Sequence, residues 1–283
     1  MKLMQSSHSK YISKVLYFLA VVIFLLTFFM IGGCGAGVEK CLEEGSCGPA
    51  VDVKNVAGVI PLNPEAAFWS AADGPVKVNV ELGPQMITNP KWPDPSIKSV
   101  NISAARNKDT LAIHLEWQDD SVDHRYGPSA NYTDQAAVMF PLSGNSIPPI
   151  SMGVSDEPVN VWQWRAMWEI NPTSAKEEGK HARSGFDSGM PAVTFEKRDS
   201  PVEDLNAEGF STLTTQDEQN VFGKGLWKNN MWKVVYKRSL TSPDNGDVQF
   251  KHSVPMAVAI WNGGNRERNG QKGIAGWLLL RLS

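Results

Sequence analysis

The side chains that most often perform catalysis do not form a catalytic or metal-binding pattern in this sequence. The five histidines are not spaced like metal-binding pairs; they are His8, His114, His124, His181 and His252. Each is interpreted as a surface residue or a hydrogen-bonded buried residue rather than a metal ligand. The sequence also lacks the GxSxG, HExxH, P-loop and dinucleotide-binding glycine motifs. It therefore predicts no hydrolytic, zinc or nucleotide chemistry.

Two segments rich in Trp, Met, Arg and Lys remain as candidates for a binding site. In residues 152–168, a strand starting at residue 158 would place Trp162, Trp164 and Trp168 on one face, because alternate side chains of a strand share a face. In residues 254–280, a buried strand leads into a loop rich in Gly, Asn and Arg, and a second buried strand follows Lys272. A lysine between two apolar strands either extends its amine to solvent or holds it at a site, and composition alone favours the first.

The three cysteines all lie near the N-terminus, at Cys34, Cys41 and Cys47. If Cys34 is lipidated, Cys41 and Cys47 are left as a pair that could form a small disulfide loop in an oxidising compartment. A metal or iron–sulfur site has little support as the alternative, because no CxxC spacing is present. A cofactor deeper in the fold would have to use other ligands.

Short strands are the elements that would position these residues. Alternating apolar and polar residues, typical of half-buried strands, occur in residues 76–82, 111–117 and 232–237. Continuous apolar runs, which indicate strands buried on both faces, occur in residues 136–142, 254–261 and 277–282. No long amphipathic helix is evident. The prediction is a mainly β fold, an antiparallel β-sandwich with long irregular loops and few short helices.

Residues 171–220 do not fit a compact sandwich, because they are polar with Gly, Pro and charges throughout. Loops of this length are usually functional lids or partner contacts, or else disordered. Since Phe186, Phe195, Leu205 and Phe210 need cover, we expect part of this segment to pack as irregular structure over the edge of the sandwich.

The N-terminus has the features of an export signal. Three lysines precede an apolar run in residues 15–31, and no acidic residue occurs before Glu39. Residues 31–34 look like a bacterial lipobox, in which Cys34 becomes the lipidated first residue; the alternative is an uncleaved anchor helix. We expect an exported, membrane-tethered protein in the periplasm or an equivalent compartment. Its three regions would be a signal (1–33), a tether (34–60) and a folded domain (61–283).

The charge composition narrows the class of partner. The 283 residues include 27 Lys and Arg against 30 Asp and Glu, a net charge of −3. This balance argues against a nucleic-acid-binding protein, which needs a basic face to neutralise phosphates. Removal of residues 1–33 takes away three lysines and no acidic residue, so the exported part is more acidic. Such a surface fits a basic soluble partner better than an anionic membrane surface.

Several strings of the sequence carry a resemblance to a known family. The chain resembles the γ subunits of the ethylbenzene dehydrogenase-type molybdenum enzymes, the haem b-binding subunits of the type II dimethyl sulfoxide reductase family. The matching strings are residues 134–141, 152–153, 158–164, 207–212, 232–235 with Arg238, 254–263 and 267–272. The resemblance covers residues 60–283, and the Glu-Arg-Asn-Gly-Gln-Lys string at 267–272 is its most specific piece. Phe210 and Ser211 depart from it, because relatives often carry a Gly-rich run there.

The resemblance implies one haem b between the sheets, held by an axial methionine and an axial lysine. Carried over to this sequence, the two ligands are Met152 and Lys272. A thioether is a soft ligand that favours ferrous iron, and a lysine amine can bind iron only when it is deprotonated, which burial promotes. Two protein ligands leave no open coordination position, so such an iron would pass electrons rather than bind substrate.

Other side chains are candidate contacts of the implied haem. The tryptophans either wall the macrocycle or belong to the sandwich core; they are Trp162, Trp164 and Trp261. The arginines either pair with the haem propionates or cap loop carbonyls; they are Arg165, Arg266 and Arg268.

Two functions are compared. By resemblance, the chain would be a non-catalytic electron-transfer subunit that relays electrons between the Fe–S subunit of a molybdopterin oxidoreductase and an external carrier such as a soluble cytochrome c. The α subunit would then set the substrate, with a nitrate/nitrite type preferred. The alternative is a lipid-anchored carbohydrate-binding β-sandwich protein, in which Trp162, Trp164 and Trp168 stack on sugar rings.

Overall fold

The computed structural model describes residues 47–124, 132–142, 146–170 and 199–282. Within these residues no helix has the length and apolar character needed to cross a membrane. The predicted signal region and the residues Cys34 and Cys41 lie outside the described part of the chain.

The fold is mainly β, as predicted, and its helical content is small. A 3-10 helix spans Ala67–Trp69, and the helix α1 spans Ala166–Ile170. The strands are β1 (Ala50–Asn55), β2 (Val78–Glu81), β3 (Ser99–Arg106), β4 (Thr110–Gln118), β5 (Gln135–Pro141), β6 (Val159–Arg165), β7 (Val202–Ala207), β8 (Thr214–Thr215), β9 (Phe222–Trp227), β10 (Met231–Ser239), β11 (Val254–Trp261) and β12 (Gly273–Leu282).

The described strands form one continuous sheet instead of the two separate sheets of a sandwich. Its order is β8-β7-β6-β5-β11-β12-β1-β3-β4-β10-β9, and β2 pairs with β3. The sheet curls, so that its two ends face each other. Trp164 of β6 lies with its ring centroid 4.8 Å from that of Trp232 on β10. A Cβ at Gly225 of β9 would lie 2.3 Å from Cζ2 of Trp164, so only glycine allows this approach.

Strand β1 falls inside the range that was predicted to be a tether. It pairs in parallel with both β12 and β3, near the middle of the sheet. Val51 and Val53 of this strand are buried in the main core. The strand is short and contains Asp52, Lys54 and Asn55, so its sequence gives only a weak strand signal. Burial of its apolar side chains at the sheet centre explains why it forms.

The segment 171–220 also contains more regular structure than expected. Residues 171–198 lie outside the described part, but β7 and β8 form in the remainder. Strand β7 pairs antiparallel with β6, with Leu205 opposite Val161. Leu205 is thus covered as a strand residue, whereas Phe210 is 41% exposed.

The main core fills the inside of the curl. Its aromatic residues include Trp117, Trp162, Trp164 and Trp232, all fully or almost fully buried. The hydroxyl of Tyr236 on β10 donates to the carbonyl of Ala136 on β5 (2.8 Å), which joins the two ends across the core.

The strand β4 was predicted to be half-buried, but it is buried on both faces. Its second face packs against a smaller cluster that includes Ile60, Trp69 and Val235. His114 lies on this face with its ring centroid 4.8 Å from that of Trp69. Burial, together with the charges of Lys77 and Lys233, lowers the pKa of His114 to about 3. His114 is therefore buried, as one of the two interpretations held, but it is not hydrogen-bonded, because neither ring nitrogen has a hydrogen-bond partner among the described residues.

Candidate functional site

A second apolar cluster lies on the outer face of the sheet, opposite the main core. We call it the apolar floor; it consists of Ala137, Met139, Val159, Val161, Leu205, Ala207, Ala257, Trp261 and Trp277. The strand register brings its members side by side. Ala257 lies opposite Met139, and Met139 lies opposite Val161. Five neighbouring strands, β7, β6, β5, β11 and β12, therefore build one continuous apolar surface.

Three of the nine floor residues are alanines. Ala137 lies opposite Ala259, which packs against the cluster, and Ala207 lies opposite Val159. Alanine projects only a methyl group from the sheet, so the floor is flat where the alanines lie. Such a surface suits a planar apolar group better than the interdigitated aromatic packing of the main core.

One end of the same face is polar. Gln135 lies opposite Arg165, and Gln163 lies opposite Glu203, in the rows that continue the floor. The amide of Gln163 donates to Oε1 of Gln135 (2.7 Å), and a guanidinium nitrogen of Arg165 donates to Oε1 of Gln163 (3.2 Å). The outer face is thus amphipathic along its strands, with amide and guanidinium donors at one end and alanines beside them.

Met152 reaches the apolar floor from the loop between β5 and β6. Its side chain is partly buried and packs against the floor together with Ile147 and Ile150. Both Met152 and Gly153 have positive φ angles, 72° and 77°. A Cβ at Gly153 would lie 2.5 Å from the carbonyl oxygen of Glu157, so glycine is required there. The Met-Gly pair is a tight turn that directs the methionine onto the sheet face.

Lys272 lies at the end of the loop between β11 and β12, directly before β12 begins. Its Nζ lies 4.6 Å from the centroid of the Trp261 ring, a floor residue. Burial alone lowers the pKa of this ammonium to about 8. Within the described residues, no hydrogen bond or ion pair to Nζ is formed. The amine therefore lies against the floor residue Trp261, while the lysine as a whole remains partly exposed.

The loop that carries Lys272 is built around the carboxylate of Glu267, which is fully buried. Its Oε1 accepts hydrogen bonds from the indole of Trp92 (3.0 Å) and from the backbone amide of Ser96 (2.8 Å). Its Oε2 accepts one from the backbone amide of Asn262 (3.0 Å). A buried carboxylate with several N–H donors holds a loop rigidly, because each donor would lose its partner if the loop moved.

Asp134 joins the start of the same loop to the main core. It is fully buried, and its two oxygens accept hydrogen bonds from the amide of Gly263 (2.8 Å), the amide of Asp123 (2.7 Å) and the indole of Trp232 (3.0 Å). Burial and the neighbouring Asp119 raise the pKa of Asp134 to about 8, although the three donors oppose this shift. The loop is therefore held at its start by Asp134 and at its middle by Glu267.

The Met152 turn and the Lys272 loop meet at the turn that follows β7. The amide of Gly209 donates to the carbonyl of Met152 (2.8 Å). A Cβ at Gly270, two residues before Lys272, would lie 3.8 Å from Cε2 of Phe210. Residues 209 and 210 thus touch both segments, which are 120 positions apart in the sequence. This arrangement brings the two predicted ligands to the same side of the sheet.

The remaining predicted residues are distributed between the two faces. Trp261 belongs to the floor, and Arg165 lies at its polar end with its guanidinium 4.6 Å from the Trp168 ring. Trp162 and Trp164 face the opposite way and are fully buried in the main core. Neither can stack on a sugar in solvent. Trp168 was predicted to share their strand face, but it lies in helix α1 and packs against Arg165, so the three tryptophans do not form one aromatic surface.

Arg266 and Arg268 lie in the Lys272 loop. Arg266 is exposed and has a φ of 60°. The guanidinium of Arg268 donates to the carbonyl of Arg266 (3.1 Å) and lies 4.6 Å from the Tyr132 ring. The described contacts of Arg268 therefore match the loop-capping interpretation, and its pairing with a propionate stays a prediction.

Cys47 is disulfide-bonded, and it packs against the apolar floor. Its partner lies outside the described residues, so the pairing with Cys41 and the lipidation of Cys34 remain predictions.

The donor set of this site fits a haem better than a bare metal ion. Among the described residues, no group of three or more His, Cys, Asp or Glu side chains could hold a metal ion. The site instead offers the thioethers of Met152 and Met139, the amine of Lys272 beside Trp261, and an apolar surface with a polar end. An amphipathic macrocycle with iron at its centre matches each of these features.

Sequence reasoning assigned no role to Asp134, Gln135, Gln163 or Glu267. All four lie within the strings that resemble the family. The signal that could have identified them is an acidic or amide side chain next to a continuous apolar strand, because such groups are buried only with hydrogen-bond partners.

Comparison with known proteins gives a consistent result. A family model described as ethylbenzene dehydrogenase matches residues 66–273. A protein of Haloferax mediterranei named as a respiratory nitrate reductase heme subunit is 28% identical over 256 residues, which are 86% of this chain and 80% of that protein.

Two further relatives have related names. The chlorate reductase subunit gamma of Ideonella dechloratans is 25% identical, covering 82% of this chain and 84% of its own length. The dimethylsulfide dehydrogenase subunit gamma of Rhodovulum sulfidophilum is 24% identical, covering 64% of this chain and 60% of its own length. Among solved structures, a family 9 carbohydrate binding module from Caldicellulosiruptor kristjanssonii matches with a TM-score of 0.36 and 9% identity, over 83% of this chain and 95% of that chain.

Proposed function

This chain belongs to the ethylbenzene dehydrogenase family, and we propose that it is the electron-transfer subunit of a molybdopterin oxidoreductase complex, carrying one haem b. Three relatives named as heme or gamma subunits of nitrate reductase, chlorate reductase and dimethylsulfide dehydrogenase support this proposal. The chain would perform no chemistry on a substrate by itself.

We propose Met152 and Lys272 as the axial ligands. Haem b, when bound, supplies an iron that changes between the ferric and ferrous states by one electron. The thioether of Met152 favours the ferrous state, and the amine of Lys272 can donate its lone pair once its proton has left. The apolar floor excludes water from the macrocycle, and Arg165 at its polar end can pair with a propionate.

The observation that carries the proposal is the environment of Lys272. An ammonium that is partly buried beside Trp261, without a carboxylate partner in the described structure, is less stable than an ammonium in water, and its pKa is lowered. Coordination of iron by the neutral amine would remove that cost. A merely structural lysine would be expected to have an acidic partner or to reach solvent.

The proposed partners follow from the family. They are a molybdopterin α subunit, an Fe–S β subunit and an external carrier such as a soluble cytochrome c. The relative from Haloferax mediterranei supports a nitrate or nitrite type of complex. We also propose that the chain is exported and tethered to a membrane through a lipid on Cys34 or through the apolar run at residues 15–31.

Reduced-minus-oxidised absorption spectra of the purified full chain test the ligand assignment. The wild-type protein should show the bands of a low-spin, six-coordinate haem b. Lys272→Ala should leave a five-coordinate, high-spin iron that binds carbon monoxide, because one axial ligand is gone. Met152→Ala should also leave a five-coordinate, high-spin iron, because it removes the other proposed ligand. Either low-spin spectrum remaining unchanged would eliminate that residue as a ligand.

Two matched controls separate ligation from general damage. Met139→Leu removes another thioether of the same floor, and Lys224→Ala removes an exposed lysine of β9. Both should keep the wild-type spectrum. A colourless wild-type chain, purified with haem supplied during expression, would contradict the proposed function itself.

A further inference from the structure

The rim of the candidate site carries exposed apolar side chains. Val154 is 42% exposed, Phe210 is 41% exposed and Leu213 is 36% exposed. Val154 lies two residues after Met152. The ring of Phe210 lies near Gly270, since a Cβ at Gly270 would be 3.8 Å from Cε2 of Phe210. Large apolar side chains exposed beside a functional site, and surrounded by polar residues, are a feature of protein-binding surfaces.

Two short segments present these side chains, and hydrogen bonds hold the segments together. Val154 and Glu157 form a backbone bridge that closes the first segment, residues 146–158. The amide of Gly209, in the second segment (residues 207–219), donates to the carbonyl of Met152 (2.8 Å). The hydroxyl of Thr212 accepts from the amide of Glu208 (2.8 Å), which rigidifies the turn that exposes Phe210.

The charges of these two segments have a single sign. Together they contain five acidic residues and no Lys, Arg or His. We call this set the acidic rim; its members are Asp156, Glu157, Glu208, Asp217 and Glu218. Four of the five are exposed and Glu157 is partly buried. Exposed carboxylates in the segments that present these apolar side chains attract a positively charged partner and accelerate its association, although Arg266 of the adjoining Lys272 loop is also exposed.

We propose that the acidic rim with Val154, Phe210 and Leu213 is the docking surface for a basic electron-carrier protein, a small cytochrome whose exposed haem edge is surrounded by lysines. This inference rests on the proposed function. It adds the surface at which the electron leaves or enters the chain, beside the Met152 turn and the Lys272 loop. The apolar residues would provide the close contact, and the carboxylates would steer and orient the carrier.

Binding of mitochondrial cytochrome c, a basic carrier, to the full chain tests the docking surface directly. Isothermal titration calorimetry should detect binding that weakens as salt is added, because the attraction is screened. The double variant Asp156→Lys/Glu208→Lys should weaken binding about tenfold or more at low salt. Phe210→Ser should weaken binding less and leave the salt dependence unchanged. The control Asp109→Lys, an exposed charge reversal in the β3–β4 turn, should bind like the wild type.

A second readout follows the electron. Full chain reduced with dithionite passes one electron to each ferric cytochrome c, whose iron becomes ferrous while one ferrous iron on this chain becomes ferric. The double variant should slow this reaction in proportion to its weaker binding. Its reaction with ferricyanide, a small anion that needs no docking surface, should not become slower.

The outcomes separate the two proposals. If the double variant retains wild-type binding and wild-type electron exchange, the docking surface is refuted while haem binding stands. If the wild-type chain carries no haem, the proposed function fails whatever the calorimetry shows. If the double variant releases the Fe–S subunit during purification of the complex, the surface is an interface within the complex, which also refutes docking of the carrier.

Discussion

The two faces of strand β6 have opposite designs. Trp162 and Trp164 project into the main core, where Phe140, Phe250 and Trp232 pack against them at ring-centroid distances of 4.8 to 5.6 Å. Val161 and Gln163 project to the outer face, where their neighbours across the strands are Met139 and Ala137. One face is filled with interlocking aromatic rings, and the other is flat.

The polar groups of the two faces differ in the same way. On the core face, Asp204 accepts from Asn160 (2.6 Å) and Gln216 (2.9 Å), and Arg238 forms an ion pair with Asp247 (3.0 Å). On the outer face, the amine of Lys272 has no such partner in the described structure. The polar groups named on the core face therefore pair within the protein, whereas the amine on the outer face is left for the proposed ligand.

Truncation in the core should have the largest effect on stability. Trp164→Ala should lower the free energy of unfolding by about 3–5 kcal/mol, because it removes a fully buried ring and leaves a cavity. Urea unfolding of the apo-protein, followed by tryptophan fluorescence, measures this loss. The folded fraction should still bind haem. If the variant kept its stability but lost haem, the core face and not the outer face would be the haem-binding face.

Enlargement of the floor should instead affect ligand binding. Ala137→Leu projects a branched side chain from the flat surface, at a cost of about 1–3 kcal/mol in haem affinity, or about ten- to a hundredfold. Haem titration followed at the Soret band gives the dissociation constant. The matched control is Ala104→Leu in the main core, which should lower stability with little change in the affinity of the folded protein for haem.

Removal of the charge that organises the Lys272 loop should affect both properties to a smaller extent. Glu267→Gln replaces one acceptor oxygen by an amide donor, so at least one of the N–H groups facing it loses its partner, at about 1–3 kcal/mol. Magnetic circular dichroism of the haem-loaded variant should show a mixture of low-spin and high-spin iron. A fully low-spin spectrum would mean that the loop positions Lys272 without Glu267.

A further prediction concerns pH and the core face. Burial and the nearby Asp247 raise the pKa of Asp204 from 3.8 to about 8. Since the folded chain holds this proton more tightly than the unfolded chain, the stabilising contribution is complete below about pH 4 and is lost as the pH rises through about 8. Asp204→Asn should flatten the dependence of the unfolding free energy on pH between these limits. An exposed counterpart, Asp109→Asn, should leave the slope unchanged.

Much of the fold was predictable from local patterns. The apolar run at residues 136–142 became β5, which is buried on both faces, and the run at 254–261 became β11. Met152 and Lys272 were predicted as ligands from short strings that resemble those of a known family. Such signals are visible in the sequence alone, because the side chains of a strand alternate between two faces and a tight turn often needs glycine wherever it lies in the fold.

Other features could not be read locally. Strand β1 was expected to be part of a tether, because its centrality depends on parallel pairing with β12, more than 220 positions away. Trp162 and Trp164 were equally compatible with the core and with a ligand site, because alternation shows that two side chains share a face but not what covers that face. The role of Glu267 depends on Trp92 and Ser96, which only the folded chain brings to it.

The sequence by itself determined that the chain is mainly β and that it contains a methionine turn and a lysine loop of recognisable type. The tertiary structure decided that both segments lie on the outer face of one curled sheet, and that the tryptophans of β6 belong to the inner face. The reason is physical: local sequence sets the period of a strand, whereas the curl of the whole sheet decides which side becomes interior and which side is left for a partner molecule.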